Sequence, residues 1–119
     1  MSKIKVGISI GDLNGIGLEI IIKTFKDIRM MDFCTPIVFG SSKVASIHRK
    51  AILMQDFNFN LINNIKDANP KKVNLLNIFN EDIEINFGKA TTKSGELSFN
   101  SLKKSSDALK NKEIDVLVT

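Results

Sequence analysis

Hydrophobic and polar positions along this chain follow two rhythms, a period near two that marks strands and one near 3.6 that marks helices. Ile4-Lys5-Val6-Gly7-Ile8-Ser9-Ile10 is rich in β-branched residues and stops at a glycine, which predicts a first strand, buried by Ile8 and Ile10. From Gly15 to about Met31 the rhythm is helical. Glu19, Lys23, Lys26 and Asp27 share one face, while Leu18, Ile21, Ile22, Phe25 and Ile28 fill a broad opposite arc, as in a helix laid on a sheet. Glu19 and Lys23 also form a favourable pair one turn apart. Pro36-Ile37-Val38-Phe39-Gly40 predicts a second strand, with Ser41 or Ser42 capping a helix from Lys43 to about Met54. Val44, Ile47, His48, Ala51 and Ile52 recur at helical spacing along it.

Phe57-Asn58-Phe59-Asn60-Leu61 alternates strictly, the mark of a half-buried strand. Asn63 to Lys72, which contains Pro70, reads as a loop, and Val73 to Phe79 as a further strand. Asp82 to Phe87 alternates again and either pairs with that strand or forms a ragged edge. Lys89 to Gly95 is a polar loop. Its Thr91, Thr92, Lys93 and Ser94 suit either an anion or, as the preferred reading, a solvated loop that caps the next helix through Ser94. Phe99, Leu102 and Leu109 mark that helix to about Lys110, with Lys103, Lys104 and Lys110 facing water. Ile114-Asp115-Val116-Leu117-Val118 is strongly apolar and reads as a central parallel strand buried on both faces.

This alternation predicts an α/β architecture in three layers: a mainly parallel, mixed sheet with helices on both faces. Ligands of such sheets collect at the carboxyl ends of the strands, and Gly11, Gly40 and Thr119 all fall at such ends.

Composition narrows the function classes. The chain has 119 residues, 43% of them hydrophobic and 25% charged, which fits one globular domain. Its net charge of +4 comes from 17 basic residues spread along the sequence, without Trp or Tyr to stack on bases, so nucleic-acid binding is not expected. Cys34 is the single cysteine and His48 the single histidine. One cysteine excludes an internal disulfide and favours a reducing compartment, and Cys34 reads as a small hydrophobe. His48 reads as a packed or partly exposed side chain. No apolar run approaches the roughly 18 residues of a membrane span, and a cytoplasmic location is the expectation.

The stretch richest in candidate chemistry is Ile8 to Glu19, where a buried strand turns through three glycines, Gly11, Gly15 and Gly17, into a helix. Glycines here permit positive φ and leave no Cβ against a ligand, and the helix start offers unpaired N–H groups. The order G-x-x-x-G-x-G matches neither the dinucleotide fingerprint nor the P-loop. Glu19 in the first helical turn opposes a phosphate placed directly on that end. Tight strand-to-helix packing explains the glycines equally well.

Gly11-Asp12-Leu13-Asn14-Gly15-Ile16-Gly17-Leu18-Glu19-Ile20 resembles the N-terminal signature of the 4-hydroxythreonine-4-phosphate dehydrogenase family, bacterial enzymes of pyridoxal 5'-phosphate synthesis. The family reads Gly-(Asp/Glu)-Pro-x-Gly-Ile-Gly-Pro-Glu, so the chain departs from it at Leu13 and Leu18. A proline in a first helical turn only replaces an N–H that lacks a partner anyway, so its loss changes little. Val38-Phe39-Gly40-Ser41-Ser42 and the segment Gly88 to Thr119 resemble the family's second strand and its helix leading into a buried strand. Related isocitrate and isopropylmalate dehydrogenases carry a similar glycine turn.

The resemblance spans this chain but only about the first third of the family's length. It implies an isocitrate/isopropylmalate-dehydrogenase-like fold, truncated, and an N-terminal portion, residues 1–119, of a longer homodimeric enzyme. That enzyme would use NAD and a divalent metal (Zn, Mg or Co) to oxidise 4-phosphooxy-L-threonine, with later decarboxylation to 3-amino-2-oxopropyl phosphate. The family's substrate-binding His-Thr pair, metal-ligand histidines and phosphate-binding basic residues lie downstream of the matched region. The resemblance therefore carries over only Gly11, Asp12, Gly15, Ile16 and Gly17, as a wall of the cofactor and substrate cleft, and implies that this piece alone is inactive. Asp12 either accepts a hydrogen bond from a ligand hydroxyl or caps the turn. The competing expectation is a stand-alone α/β module that binds a phosphorylated metabolite or a protein partner.

Overall fold

The first strand forms as its β-branched residues predict, and four more join it. The structure, a computed structural model, describes residues 4–10, 17–51, 57–78 and 92–118. Strands β1 (Ile4–Ser9), β2 (Cys34–Gly40), β3 (Asn60–Ile62), β4 (Asn74–Asn77) and β5 (Val116–Val118) build one sheet in the order β3-β4-β2-β1-β5. Every pairing among them is parallel. The longest ladder joins β1 to β2, in register from Ile4↔Cys34 to Ser9↔Phe39. Asp82 to Phe87, the remaining strand candidate, lies outside the described residues.

Alternate strand residues point to opposite faces, and each face has its own cover. Ile8, Val38 and Leu75 pack with Ile21 of α1 (Gly17–Phe25) and Ala45 of α2 (Ser42–Ala51). Ile37, Phe39 and Ile62 pack with Ala108 of α3 (Thr92–Lys110) and with Ile114. The three layers expected from the alternation are therefore present. Gly7 faces α3, and a Cβ there would run into the Ile114 side chain, so the absent side chain leaves room for Ile114 to seat on β1.

Pro36 stands inside a central strand, where proline normally breaks a ladder. Its carbonyl accepts a hydrogen bond from Asn74 Nδ2 at 3.1 Å, and pairing with β4 begins only at Ile37↔Asn74. The missing N–H thus falls before that ladder starts. Asn74 is fully buried, accepts from the Asn69 N–H at 2.8 Å and from Asn60 Nδ2 at 2.9 Å, and donates to the carbonyls of Asn69 and Lys72. It ties β2, β3, β4 and the preceding loop together at the amino end of the sheet.

Several sequence expectations need correction. The first helix ends at Phe25 rather than near Met31, and Ile28–Asp32 is a 3-10 turn. Asp27 explains the break: its carboxylate accepts the Arg29 backbone N–H at 3.0 Å and the Arg29 guanidinium at 2.7 Å, a local alternative to helical bonding. Ile21 and Ile22 are buried as expected, whereas Ile20 is exposed. The Phe57–Leu61 alternation does not make a strand of that extent. β3 starts only at Asn60, Leu61 is exposed and Ile62 is buried, because Arg49 Nη1 holds the Phe57 carbonyl and Asn58 Oδ1 outside the ladder. Phe57 and Phe59 instead meet edge to face, their ring centroids 5.1 Å apart.

The third helix starts at Thr92, so Thr92 to Gly95 are helical and not a loop, and Ser94 is not its cap. Its buried stripe is Leu97, Ser101, Ser105 and Ala108, while Phe99, Leu102 and Leu109 are exposed. Small residues let the helix lie close on the sheet. β5 is an edge strand among the described residues, not a central one, and Val116 and Val118 are about half exposed, at 46% and 50%. Nothing among the described residues pairs with its outer side.

Candidate functional site

The chain passes from β1 to β2 and on to β4 in one direction, and β5 then pairs on the other side of β1. This reversal of strand order falls between β1 and β5, and open α/β sheets bind ligands at the carboxyl ends of the strands on either side of such a reversal. Ile10 stands at the end of β1 and Gly17 opens α1. Of the five predicted site residues, Gly17 is thus placed at the start of a helix. Gly11, Asp12, Gly15 and Ile16 lie outside the described residues, as does Thr119.

The described residues at the ends of β1 and β2 are closely packed. Ile10 is 1% exposed and lies over Gly40, where a Cβ would come within 3.2 Å of Ile10 Cγ2 and 3.4 Å of Leu75 Cδ1. The Ile10 N–H donates to Ser101 Oγ at 3.2 Å, and the Ser101 hydroxyl donates to the Phe39 carbonyl at 2.6 Å. One side chain of α3 therefore joins the ends of two strands. At the next strand end, the Gly40 carbonyl accepts the Ile78 N–H at 2.8 Å. The Ser41 carbonyl takes the first helical bond of α2, from the Ala45 N–H at 2.9 Å, which gives Ser41 the N-cap position foreseen for Ser41 or Ser42. Asn77 Oδ1 accepts the Ser42 N–H at 3.4 Å, so β4 also supplies a cap to α2.

Glu19, in the first turn of α1, pairs with Lys23 at 2.9 Å as its spacing predicts. The Arg29 guanidinium beside Asp27 holds that carboxyl below the usual range and is itself raised, but this pair lies past the end of α1, away from the strand ends. Among the described residues, no group of three His, Cys, Asp or Glu side chains could hold a metal ion. Cys34 opens β2 and is partly buried, and the side chain of His48 lies outside the described residues.

Two small clefts lie elsewhere. One, of about 160 Å³, is lined by Ser42, Arg49, Asn58 and Phe59; the other, of about 260 Å³, by Asn63, Asn64, Lys104, Asp107 and Glu113. Both are smaller than the roughly 300 Å³ at which ligand pockets begin, and neither is at the β1 and β5 ends. Sequence reasoning missed Ser101 and Asn77. A serine at helical spacing from Leu97 and Ala108 was the available signal for the first; the second had none, since its partner is 35 residues away.

Comparison with known proteins places this arrangement. The chain is 37% identical over 118 residues to the 4-hydroxythreonine-4-phosphate dehydrogenase of Bacteroides thetaiotaomicron, a match covering 99% of this chain and 32% of that protein. A Clostridium botulinum protein bearing the name D-threonate 4-phosphate dehydrogenase is 34% identical over 120 residues, covering 96% of this chain and 35% of the other. The crystal structure of a 4-hydroxythreonine-4-phosphate dehydrogenase from Burkholderia phymatum superposes with a TM-score of 0.88 at 18% identity, over 98% of this chain and 36% of that one. The chain thus spans about a third of the length of these relatives, and the fold is the isocitrate/isopropylmalate-dehydrogenase-like one that the resemblance implied. The profile of the family described as pyridoxal phosphate biosynthetic protein PdxA matches residues 32–119, and on that match the chain belongs to the PdxA family.

Proposed function

We propose that residues 1–119 supply the N-terminal portion of an NAD-dependent, metal-dependent dehydrogenase acting on 4-phosphooxy-L-threonine in pyridoxal 5'-phosphate synthesis. The observation that carries this reading is the 37% identity to the Bacteroides enzyme across nearly the whole chain. The strand-order reversal between β1 and β5 supports it, because open α/β sheets bind ligands at the carboxyl ends of strands at such a reversal. NAD would accept a hydride from the substrate's secondary alcohol, and the resulting β-keto acid would lose carbon dioxide. Within that chemistry this chain would contribute a binding wall from Gly11, Asp12, Gly15, Ile16 and Gly17, which follow β1 in the sequence.

On this reading the Zn, Mg or Co ion is held by residues of the complete enzyme downstream of this portion, and the 119 residues by themselves do not turn over. The complete enzyme is a cytoplasmic homodimer on the same reading. The Clostridium relative supports a second substrate, D-threonate 4-phosphate, a phosphorylated hydroxy acid of similar shape.

The test is an assay of the protein at its native length, following NADH formation with each of the two substrates, with and without a divalent metal. Turnover of 4-phosphooxy-L-threonine that a chelator abolishes is the expected result. Turnover of D-threonate 4-phosphate alone would transfer the assignment to that substrate, and no NADH from either would overturn the dehydrogenase reading.

A further inference from the structure

β5 pairs with β1 over three residues, from Val116↔Val6 to Val118↔Ile8, and among the described residues nothing pairs with its outer side. So short a ladder of similar apolar residues does little to choose its own register, because a slip of two residues keeps every side chain on its own face. Two contacts just before the strand make the choice. The Asp115 N–H donates to the Lys5 carbonyl at 2.8 Å, and the Lys5 N–H donates to Asp115 Oδ2 at 2.8 Å. One residue thus occupies both backbone groups of Lys5. Its neighbour Ile114 is 2% exposed and sits on Gly7, where a Cβ would collide with the Ile114 side chain.

The two contacts do different work. Burial of Ile114 with Ile37, Phe39 and Ala108 supplies stability without direction. The Asp115 carboxylate lies in the open, where a hydrogen bond adds little stability but imposes its geometry. A slip of two residues in one direction would bring Leu117 to Lys5, and leucine has no side-chain acceptor. A slip in the other direction would bring Glu113, whose N–H is already held by the Ala108 carbonyl at 2.9 Å where α3 ends. Either slip also moves Ile114 from Gly7 towards Lys5 or Ser9, the residues of β1 that share its face and carry a Cβ. We propose that Asp115 and Ile114 form a two-point register latch, which admits β5 beside β1 in a single register and ties that register to the end of α3. The latch is independent of the reaction that the complete enzyme performs.

The experiment reads amide exchange at Lys5 and cross-strand NOEs between β1 and β5 in the protein at its native length, for Asp115→Ala, Asp115→Asn and, as a control carboxylate, Glu113→Ala. Exchange at Lys5 is expected to rise about tenfold or more in Asp115→Ala. It should stay near that of the unsubstituted protein in Glu113→Ala and in Asp115→Asn, which keeps a side-chain acceptor. The double variant Ile114→Ala, Asp115→Ala removes both points, and NOEs from Val6 to Val118 are expected beside those from Val6 to Val116. Where that variant does not fold, Ile114→Val, which lacks the Cδ1 atom nearest Gly7, takes the place of Ile114→Ala. Unchanged exchange at Lys5 in Asp115→Ala would overturn the proposal. Faster exchange at Lys5 with only the original NOEs in the double variant would also overturn it, because Asp115 would then cap Lys5 while the register is set elsewhere.

Discussion

Two side chains show how much a single residue can decide here. Asn74 is fully buried and uses its amide to serve five backbone or side-chain partners in three segments. Asn74→Ala would leave several of those groups unsatisfied, with an expected loss of about 3 kcal/mol of stability. The midpoint of urea unfolding measures it, and a shift near zero would mean that water replaces the amide. Asp27 acts at the surface. Its carboxyl is lowered by the side-chain hydrogen bond from Arg29 and then by the Arg29 backbone N–H. A carboxyl lowered on folding stabilises the fold above its unfolded value, and this contribution disappears as pH falls through the folded value. Both side chains are open to water, so the contribution is small, and the titration itself is the better measurement. In Arg29→Ala, Asp27 should titrate closer to an ordinary aspartate by NMR; an unchanged value would remove Arg29 as the cause.

At the scale of elements, α3 is ended by backbone geometry. The Glu113 N–H reaches the Ala108 carbonyl at 2.9 Å and the Lys112 N–H reaches that of Leu109 at 3.1 Å, the paired bonds of a Schellman motif. Lys112 occupies the position that this motif reserves for glycine, at φ 61°. A side chain there carries a left-handed penalty of about 1 kcal/mol, so Lys112→Gly should stabilise the protein by about that amount. Thermal unfolding is the measurement, and a lower Tm would show that the lysine side chain contributes contacts worth more than the strain. The opposite face of this helix carries Phe99, Leu102 and Leu109 in the open, while its small residues are buried. Apolar spacing located the helix, but the stripe that turned inward is Leu97, Ser101, Ser105 and Ala108, mostly small residues that let the helix lie close on the sheet.

In the molecule as a whole, stability is graded outward from β2. Ile37, Val38 and Phe39 are all essentially buried, and β2 pairs on both sides, whereas β3 and β5 are three-residue strands with one neighbour each among the described residues. Amide exchange should therefore be slowest in β2 and the facing part of β1, and faster in β5 by orders of magnitude, because edge strands open without disturbing the core. Hydrogen exchange followed by mass spectrometry would check this gradient. Protection of β5 equal to that of β2 in the protein at its native length would mean that its outer edge is covered. No helix among the described residues is long and apolar enough to cross a membrane.

The sequence by itself determined the α/β alternation, the positions of β1, β2 and α2, the i,i+4 pair Glu19–Lys23, and a family resemblance that the comparisons support. These rest on local periodicity and short motifs, which neighbouring residues carry without help. Tertiary structure decided that β3 shrinks to Asn60–Ile62, that α1 stops at Phe25, that α3 buries Ser101 and Ser105 while Phe99, Leu102 and Leu109 stay exposed, and that β5 lies at an edge among the described residues. Each of those outcomes depends on partners distant in the chain or on competition between local bonds: Arg49 against the β3 ladder, Asp27 against the helix, Ser101 across 62 residues to Phe39. Periodicity records which residues avoid water. It does not record which surface they meet.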